Sequence, residues 1–401
     1  MARREPPRRT AARLETGMGF LLQCLLLGSW LATAQAFCAA DNLNAVATLS
    51  PQASGYFRAL AWIPSAQSGG HDLLLAGGED QKLRVWELSG SGSGASGTLV
   101  NTLGGIHGTI WALQWSQAHS VLASGSGDGF IRLWPVSVLT TPQACHVEAK
   151  GNGNDLCCDG DGLGCEGRLV VSWRDANMSR AGQVHALEWM DGGLLASSWS
   201  DGVVRLWTYD AASAPPLAYR NSLSPTGRAY SLTWLTGPSQ LAVVSPDWPL
   251  PELWDVDGTA TPEKVLTKEL PDGFGYCPTA HCGAVHASAT NSGGDTLATG
   301  SEDQRVKLWT ASDGAMAHDF VGQNATVSAL AWMQSGDKLA SGGSDGSLFM
   351  WDPTDTSSSS SLASITTAHS DRVSALVWAE ELQVLASASY DLTVKLWDCA
   401  S

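Results

Sequence analysis

Three groups of residues in this 401-residue chain have the types and spacing to do chemistry. The first pairs a His with a Ser or Thr and an Asp: His369, Ser387 and Asp391; His281, Thr299 and Asp303; His107, Ser124 and Asp128. A hydroxyl, an imidazole and a carboxylate are the parts of an activated hydrolase nucleophile. The second is Cys277-Pro-Thr-Ala-His281-Cys282, whose soft ligands suit a metal ion. The third is the run GNGNDLCCDGDGLGC, which holds Cys157, Cys158 and Cys165 and lies just beyond Cys145. It has no paired C-x-x-C for zinc, and Asp155, Asp159 and Asp161 lack the EF-hand order for calcium. Two local disulfides are the expectation there, and a Cys277–Cys282 disulfide or free thiols at the second group. No metal and no cofactor is expected.

Repetition decides the first group. Each triplet is followed, six residues after its Asp, by a Trp: Trp134, Trp309 and Trp397. An enzyme has no use for three copies of one triad. A buried indole N–H and a buried carboxylate, by contrast, need partners wherever they recur. The sets are read as structural, and no catalysis is expected from them.

The elements that carry these sets recur seven times. The third-strand segments run from Asp80 to Trp86, Asp128 to Trp134, Asp201 to Trp207, Asp247 to Trp254, Asp303 to Trp309, Asp345 to Trp351 and Asp391 to Trp397. The fourth has one extra residue and two prolines, which predicts a bulged strand. Small-residue strands such as VLASGSG and TLATGSE precede each Asp, and a strand near Ala-Leu-x-Trp precedes those. Thirteen of the 18 Trp fall on two repeat positions, so the period is not chance. Short alternating runs bounded by Gly, Asp and Ser read as strands, with no convincing amphipathic helix.

These units resemble the WD40-repeat family across about residues 43–399. The resemblance implies an all-β fold: one seven-bladed β-propeller spanning residues 37–401. It assigns the His–Ser/Thr–Asp–Trp set fully to blades 2, 5 and 7. Blades 3 and 6 carry Arg180 and Gln323 in place of His, and blades 1 and 4 carry Ala76 and Val243 in place of Ser or Thr. The last unit stops after its third strand, so Asn44–Ser50 is expected to supply the missing fourth and close the ring. A Cys38–Cys399 disulfide would then clip the seam. The segment from about 140 to 167 is read as a loop-like insertion in blade 2. The Ser89–Gly97 and Ser357–Ser361 runs are read as flexible connections.

Partners of the family commonly dock at one mouth of the channel, which two positions per blade reach. One set here is Arg58, Trp111, His185, Tyr230, His286, Ser328 and Ser374. The other is Glu79, Gly127, Ser200, Pro246, Glu302, Ser344 and Tyr390, with Trp199 and Trp248 expected on the same surface. Large aromatics at a mouth are typical anchors for a protein partner. A net charge of −16 disfavours nucleic acid and makes a basic peptide the expected ligand. His185 and His286 would make that binding sensitive to pH near neutrality.

Residues 1–36 read as a targeting segment: an Arg-rich start, an apolar run from Gly19 to Ala34, then Ala34-Gln35-Ala36 as a cleavage pattern. That points to the secretory pathway, with a cytoplasmic, nuclear or plastid destination as the alternative. The eight Cys beyond it fit an oxidising compartment. The leading reading is a monomeric, non-catalytic interaction scaffold that works within a complex. The rivals are an intracellular adaptor with a mis-called start and an enzyme that uses the channel.

Overall fold

The computed structural model describes residues 43–49, 53–141, 145–150, 153–158, 169–173, 182–213, 216–256, 263–266, 280–333, 337–355 and 357–399. The targeting segment, Cys38, Cys165, Arg180 and Cys277 lie outside them. The described residues form seven antiparallel sheets, and their α-helix is confined to Ser65–Ser68 and Val136–Thr140.

Blade 5 shows how the sequence makes a blade. Val285–Thr290, Thr296–Ser301, Val306–Thr310 and Met316–Phe320 pair in sequence order. The second strand is buried at every position but its first, because both faces meet a neighbouring blade. Small and β-branched residues suit that double contact. The turn after it is held by Asp303, whose carboxylate accepts the Arg305 backbone N–H at 3.0 Å. The residue after the turn Asp is left-handed in six blades. It is Gly in three (Gly129, Gly202, Gly346), and Gln81, Gln304 and Leu392 hold the same conformation elsewhere. The bulge expected in blade 4 is present, as a register shift between Val243 and Ser245.

No blade has a core of its own. Among the described residues there are seven apolar clusters, and each joins two adjacent blades. Leu122 and Trp134 of blade 2 pack with Ile63 and Leu75 of blade 1, while Val121 and Leu133 pack with Val184 and Leu195 of blade 3. The series closes on itself, since Leu49, Val384 and Leu396 of blade 7 pack with Phe57, Leu74 and Trp86 of blade 1.

Side chains also lace the inner strands together. The Ser328 hydroxyl donates to the Val373 carbonyl at 2.6 Å, joining blades 6 and 7. Ser374 donates to the Phe57 carbonyl at 2.7 Å, joining blades 7 and 1. Trp189 and Trp332 donate through Nε1 to Gln114 and Ala289 carbonyls, at 3.2 and 3.1 Å. These bonds satisfy carbonyls that a free strand edge would leave unpaired.

The amino-terminal strand closes the ring as expected. Leu43–Leu49 pairs antiparallel with Val394–Cys399, from Leu43 opposite Cys399 to Leu49 opposite Val394. The Cys38–Cys399 crosslink falls on Cys38, outside the described residues. Two expectations are corrected. The insertion is not a plain loop: Cys145–Lys150 and Gly153–Cys158 form a hairpin that extends blade 2 to six strands through Leu169–Trp173. Only Gly151 and Asn152 separate the two paired strands, and Gly-Asn is a residue pair that suits a tight hairpin. The Gly/Ser runs are also anchored. Gly92 N–H donates to the Leu382 carbonyl of blade 7, and Val321 N–H donates to the Ser359 carbonyl.

Blades approach so closely that a side chain is excluded at some positions. A Cβ on Gly125 would meet Val184 Cγ1 of the next blade at 2.6 Å. Gly125→Val is expected to destabilise the fold by about 1–3 kcal/mol, as overpacking does. Gly104→Val, in open space, is expected to change little. Urea denaturation midpoints of the two variants check the difference.

Candidate functional site: the channel mouth

The His sets come first, because they fix the turns that surround the mouth. In blade 7 the His369 Nδ1–H donates to Asp391 at 2.8 Å, since a carboxylate only accepts. His369 Nε2 must then accept, and the Ser387 hydroxyl donates to it at 2.7 Å. The Ser387 oxygen in turn accepts Trp397 Nε1–H at 2.7 Å. Blade 5 repeats the chain through Asp303, His281, Thr299 and Trp309. Thr299 and Ser387 are fully buried. A hydroxyl that is buried and already committed twice is no nucleophile, so these sets are structural. Burial raises the pKa of Asp391, but the hydrogen bonds from His369 and Thr393 outweigh it and hold the carboxyl below its usual range. Burial likewise lowers the pKa of His281 despite Asp303, which keeps the imidazole neutral.

Blade 2 departs from expectation. His107 is exposed, and only its backbone N–H reaches Asp128, at 3.1 Å. Its loop is one residue short, and Arg132 has taken the carboxylate with two bonds, at 3.1 and 2.7 Å. Ser124 still accepts Trp134 Nε1–H at 2.8 Å. The same substitution occurs in blade 1, where Arg84 holds Asp80, and in blade 3, where Arg205 holds Asp201. The signal was in the sequence: an Arg four residues after the turn Asp marks blades without a working His, whereas blades 5 and 7 have Lys307 and Lys395 there. In blade 6, Gln323 stands in for His and accepts the Ser341 hydroxyl at 2.8 Å.

Two expected mouth residues lie elsewhere. Trp199 is fully buried and donates Nε1–H to Ser197 at 2.8 Å, beside Trp207 at 2.7 Å. It takes up the hydroxyl that faces His in blades 5 and 7, so it does not reach the surface. Trp248 is half-buried against the apolar cluster between blades 4 and 5.

The remaining mouth residues converge. Arg58, Trp111, His185, Tyr230, His286, Ser328 and Ser374 all line one cavity of about 540 Å3, with Tyr390. They sit at one register position of seven inner strands, so strand alternation turns all of them to the same place. Half of the rim is a continuous aromatic ladder. Tyr56 stacks on Tyr390 at 4.8 Å, and the Arg58 guanidinium lies 4.4 Å from Tyr390 and 4.6 Å from Trp111. Trp111 then meets His185 at 5.4 Å, and His185 meets Tyr230 at 5.3 Å. Glu79 pins Arg58 at 2.5 Å, and Glu302 holds His286 at 3.0 Å. In blades 6 and 7 the small Ser328 and Ser374 leave the other half open.

The register reading missed Arg372, which also lines the cavity. It belongs to a third position per blade, just before the inner strand. In blades 1, 2, 3, 5, 6 and 7 the carbonyl there accepts the N–H of the residue preceding the turn Asp; Arg372 and Tyr390 are the blade 7 pair. The guanidinium groups in the cavity wall are therefore those of Arg58 and Arg372. Burial and the charge of Arg228 lower the pKa of His185.

Below the mouth the channel continues as a cavity of about 340 Å3 that shares Trp111, His185 and Tyr230. Its carboxylate is Glu188, which accepts Trp234 N–H at 3.0 Å and Gln114 Nε2–H at 2.5 Å. It thereby ties blades 2, 3 and 4. Burial pushes its pKa up to about 8 against those two bonds. A raised carboxyl pKa means that the unfolded chain ionises first. Stability is therefore full below about pH 4, falls as pH rises, and levels off above about pH 8. Glu188→Gln removes the penalty and keeps both contacts if the Gln114 amide turns over. The expected result is a melting temperature equal to the parent near pH 4 and several degrees higher at pH 8, read by circular dichroism.

Comparison with known proteins agrees with this architecture. Residues 97–135, 275–310, 314–352 and 360–398 match the family model described as WD domain, G-beta repeat. The chain is 22% identical over 275 residues to the WD repeat-containing protein 26 homolog of Arabidopsis thaliana, covering 65% of this chain and 43% of that protein. It is 24% identical over 293 residues to protein transport protein sec31 of Emericella nidulans, covering 70% and 19%. It is 36% identical over 83 residues to eukaryotic translation initiation factor 3 subunit I of Neurospora crassa, covering 21% and 22%. The chain spans less than half the length of each of these relatives. Repeats that match the family in four places, carried on a closed ring of seven blades, make this chain a WD40-repeat β-propeller.

Proposed function

We propose that this propeller is a non-catalytic scaffold that seats a partner protein in the aromatic mouth of its channel. WD40 propellers are in general non-catalytic interaction modules, and the relatives above fit that class. The observation that carries the reading is the convergence of Trp111, His185, Tyr230 and Tyr390 on one open cavity. Rigid rings bury large area at little conformational cost, which is why they dominate binding energy at interfaces. Tyr230 keeps 38% of its surface exposed although apolar, so part of the ladder still lacks a cover. The secretory route indicated by residues 1–36 belongs to the same proposal: a partner met after cleavage of a targeting segment.

Trp111→Ala and Tyr230→Ala are expected to weaken capture of the native partner by about tenfold or more each, which is about 1.4 kcal/mol. The blades should keep their far-ultraviolet signature. Affinity capture from the native source, with the bound fraction quantified, reads the effect. Undiminished capture by both folded variants would remove the mouth as the docking site.

A further inference from the structure

The mouth has more hydrogen-bond donors than acceptors. The Arg372 guanidinium lines the cavity and has no ion-pair partner within 4 Å among the described residues. Arg58 gives one nitrogen to Glu79, but its Nε–H is buried without an acceptor. The indole N–H of Trp111, in the same wall, is also buried without an acceptor. Buried donors without acceptors cost free energy, and native proteins rarely keep them without a reason. Those two atoms are covered by protein and out of a ligand's reach, so the donor that the cavity itself offers is the Arg372 guanidinium, and it calls for an anionic oxygen.

The charges around the cavity set how much anion is needed. Glu79 neutralises Arg58, and Asp247 lies 3.6 Å from Arg228. Glu302 is bonded to His286, and Asp371 accepts the backbone N–H of Arg372. Glu302 and Asp371 act on Arg372 through space without an ion pair. One guanidinium is thus left without a direct counter-charge. It lines the cavity together with Ser328 and Ser374 of blades 6 and 7. A single carboxylate would pair with Arg372 directly, against the through-space charge of Glu302 and Asp371. A dianion would also face Glu302 and Asp371.

We infer that the mouth takes an acidic side chain, Asp or Glu, from an extended segment of the partner, with Arg372 as its ion-pair partner and the Trp111–His185–Tyr230 wall packing the flanking residues. This rests on the mouth being the docking site and adds the chemistry of the occupant. It reverses the expectation drawn from net charge, because the overall acidity of the chain is not the charge of this cavity.

The test is a peptide array randomised on both sides of a fixed central residue, which is Glu, Gln, Lys or phosphoserine. It is probed with the full chain and followed by fluorescence titration of the best binders. The expected result is binding of Glu-centred peptides about tenfold tighter than of their Gln partners. Lys-centred peptides should bind weakest, and the Glu preference should shrink as salt is raised. Arg372→Ala and Arg372→Gln should abolish the difference between Glu and Gln. Equal or tighter binding of Lys-centred peptides, no binding of any array member, or a Glu preference that survives in both variants overturns the inference. Phosphoserine bound more tightly than Glu overturns the match to a single charge. Trp111→Ala separates the two levels. If it weakens all peptides alike while the Arg372 variants keep the Glu preference, the docking site stands and this inference falls. If it changes nothing, the docking site itself falls.

Discussion

The antiparallel pairing of Leu43–Leu49 with Val394–Cys399 is the constraint on which the structure depends. Blade 7 receives three strands from the end of the chain and its fourth from the beginning. Each blade buries apolar surface only against its neighbours, so an open ring would expose two faces at once. The closure brings Leu49 onto Phe57 and Trp86, and Ser374 onto the Phe57 carbonyl. The mouth straddles the same seam. Arg58 of blade 1 lies over Tyr390 of blade 7, and Tyr56 stacks on that ring. The half of the rim beside the open serines is therefore only as well ordered as the closure.

Around this ring one problem recurs seven times: a turn carboxylate must be satisfied. Blades 5 and 7 use a His between carboxylate and hydroxyl, and blades 1, 2 and 3 use an Arg four residues on. Both place a donor on the Asp, and the carboxyls of Asp128, Asp303 and Asp391 are all held below their usual range. Asp303 and Asp391 stay ionised well into acid because His hydrogen bonds outweigh burial. The stability they confer is complete above the ordinary carboxylate range and is lost as pH falls through the lower folded-state values. His281, held neutral by burial, loses its contribution earlier, as pH falls through the ordinary His range. The Arg blades carry no imidazole that must stay neutral.

Much of the fold and part of the site was legible in the sequence. The Asp-to-Trp spacing gave the number of blades, and strand alternation placed all seven mouth residues of one register on a single cavity. Legibility failed wherever the outcome depended on competition between side chains. His107 has the right type at nearly the right place, but Arg132 reaches Asp128 first. Trp199 lies beside a predicted surface position, yet the Ser197 hydroxyl draws its indole inward. The blade 2 hairpin did leave a local mark, Gly151-Asn152 between the paired Lys150 and Gly153, but the Gly-, Asp- and Cys-rich run around it lacks the alternation that marks a strand. Arg372 sits outside the strand pattern and becomes visible only through the backbone bond that its carbonyl accepts from Tyr390. Net charge is summed over the chain, whereas recognition is local, so the −16 of the whole sequence does not by itself set the charge of the mouth.

Native-state hydrogen exchange over residues 43–49 tests the account most directly. If these residues close the ring, their amides open only with the whole fold, at the same free energy as the amides of Val384–Ser389 in the same blade. Rapid exchange of 43–49 while the other blades stay protected would contradict the closure, and with it the placement of Arg58 against Tyr390.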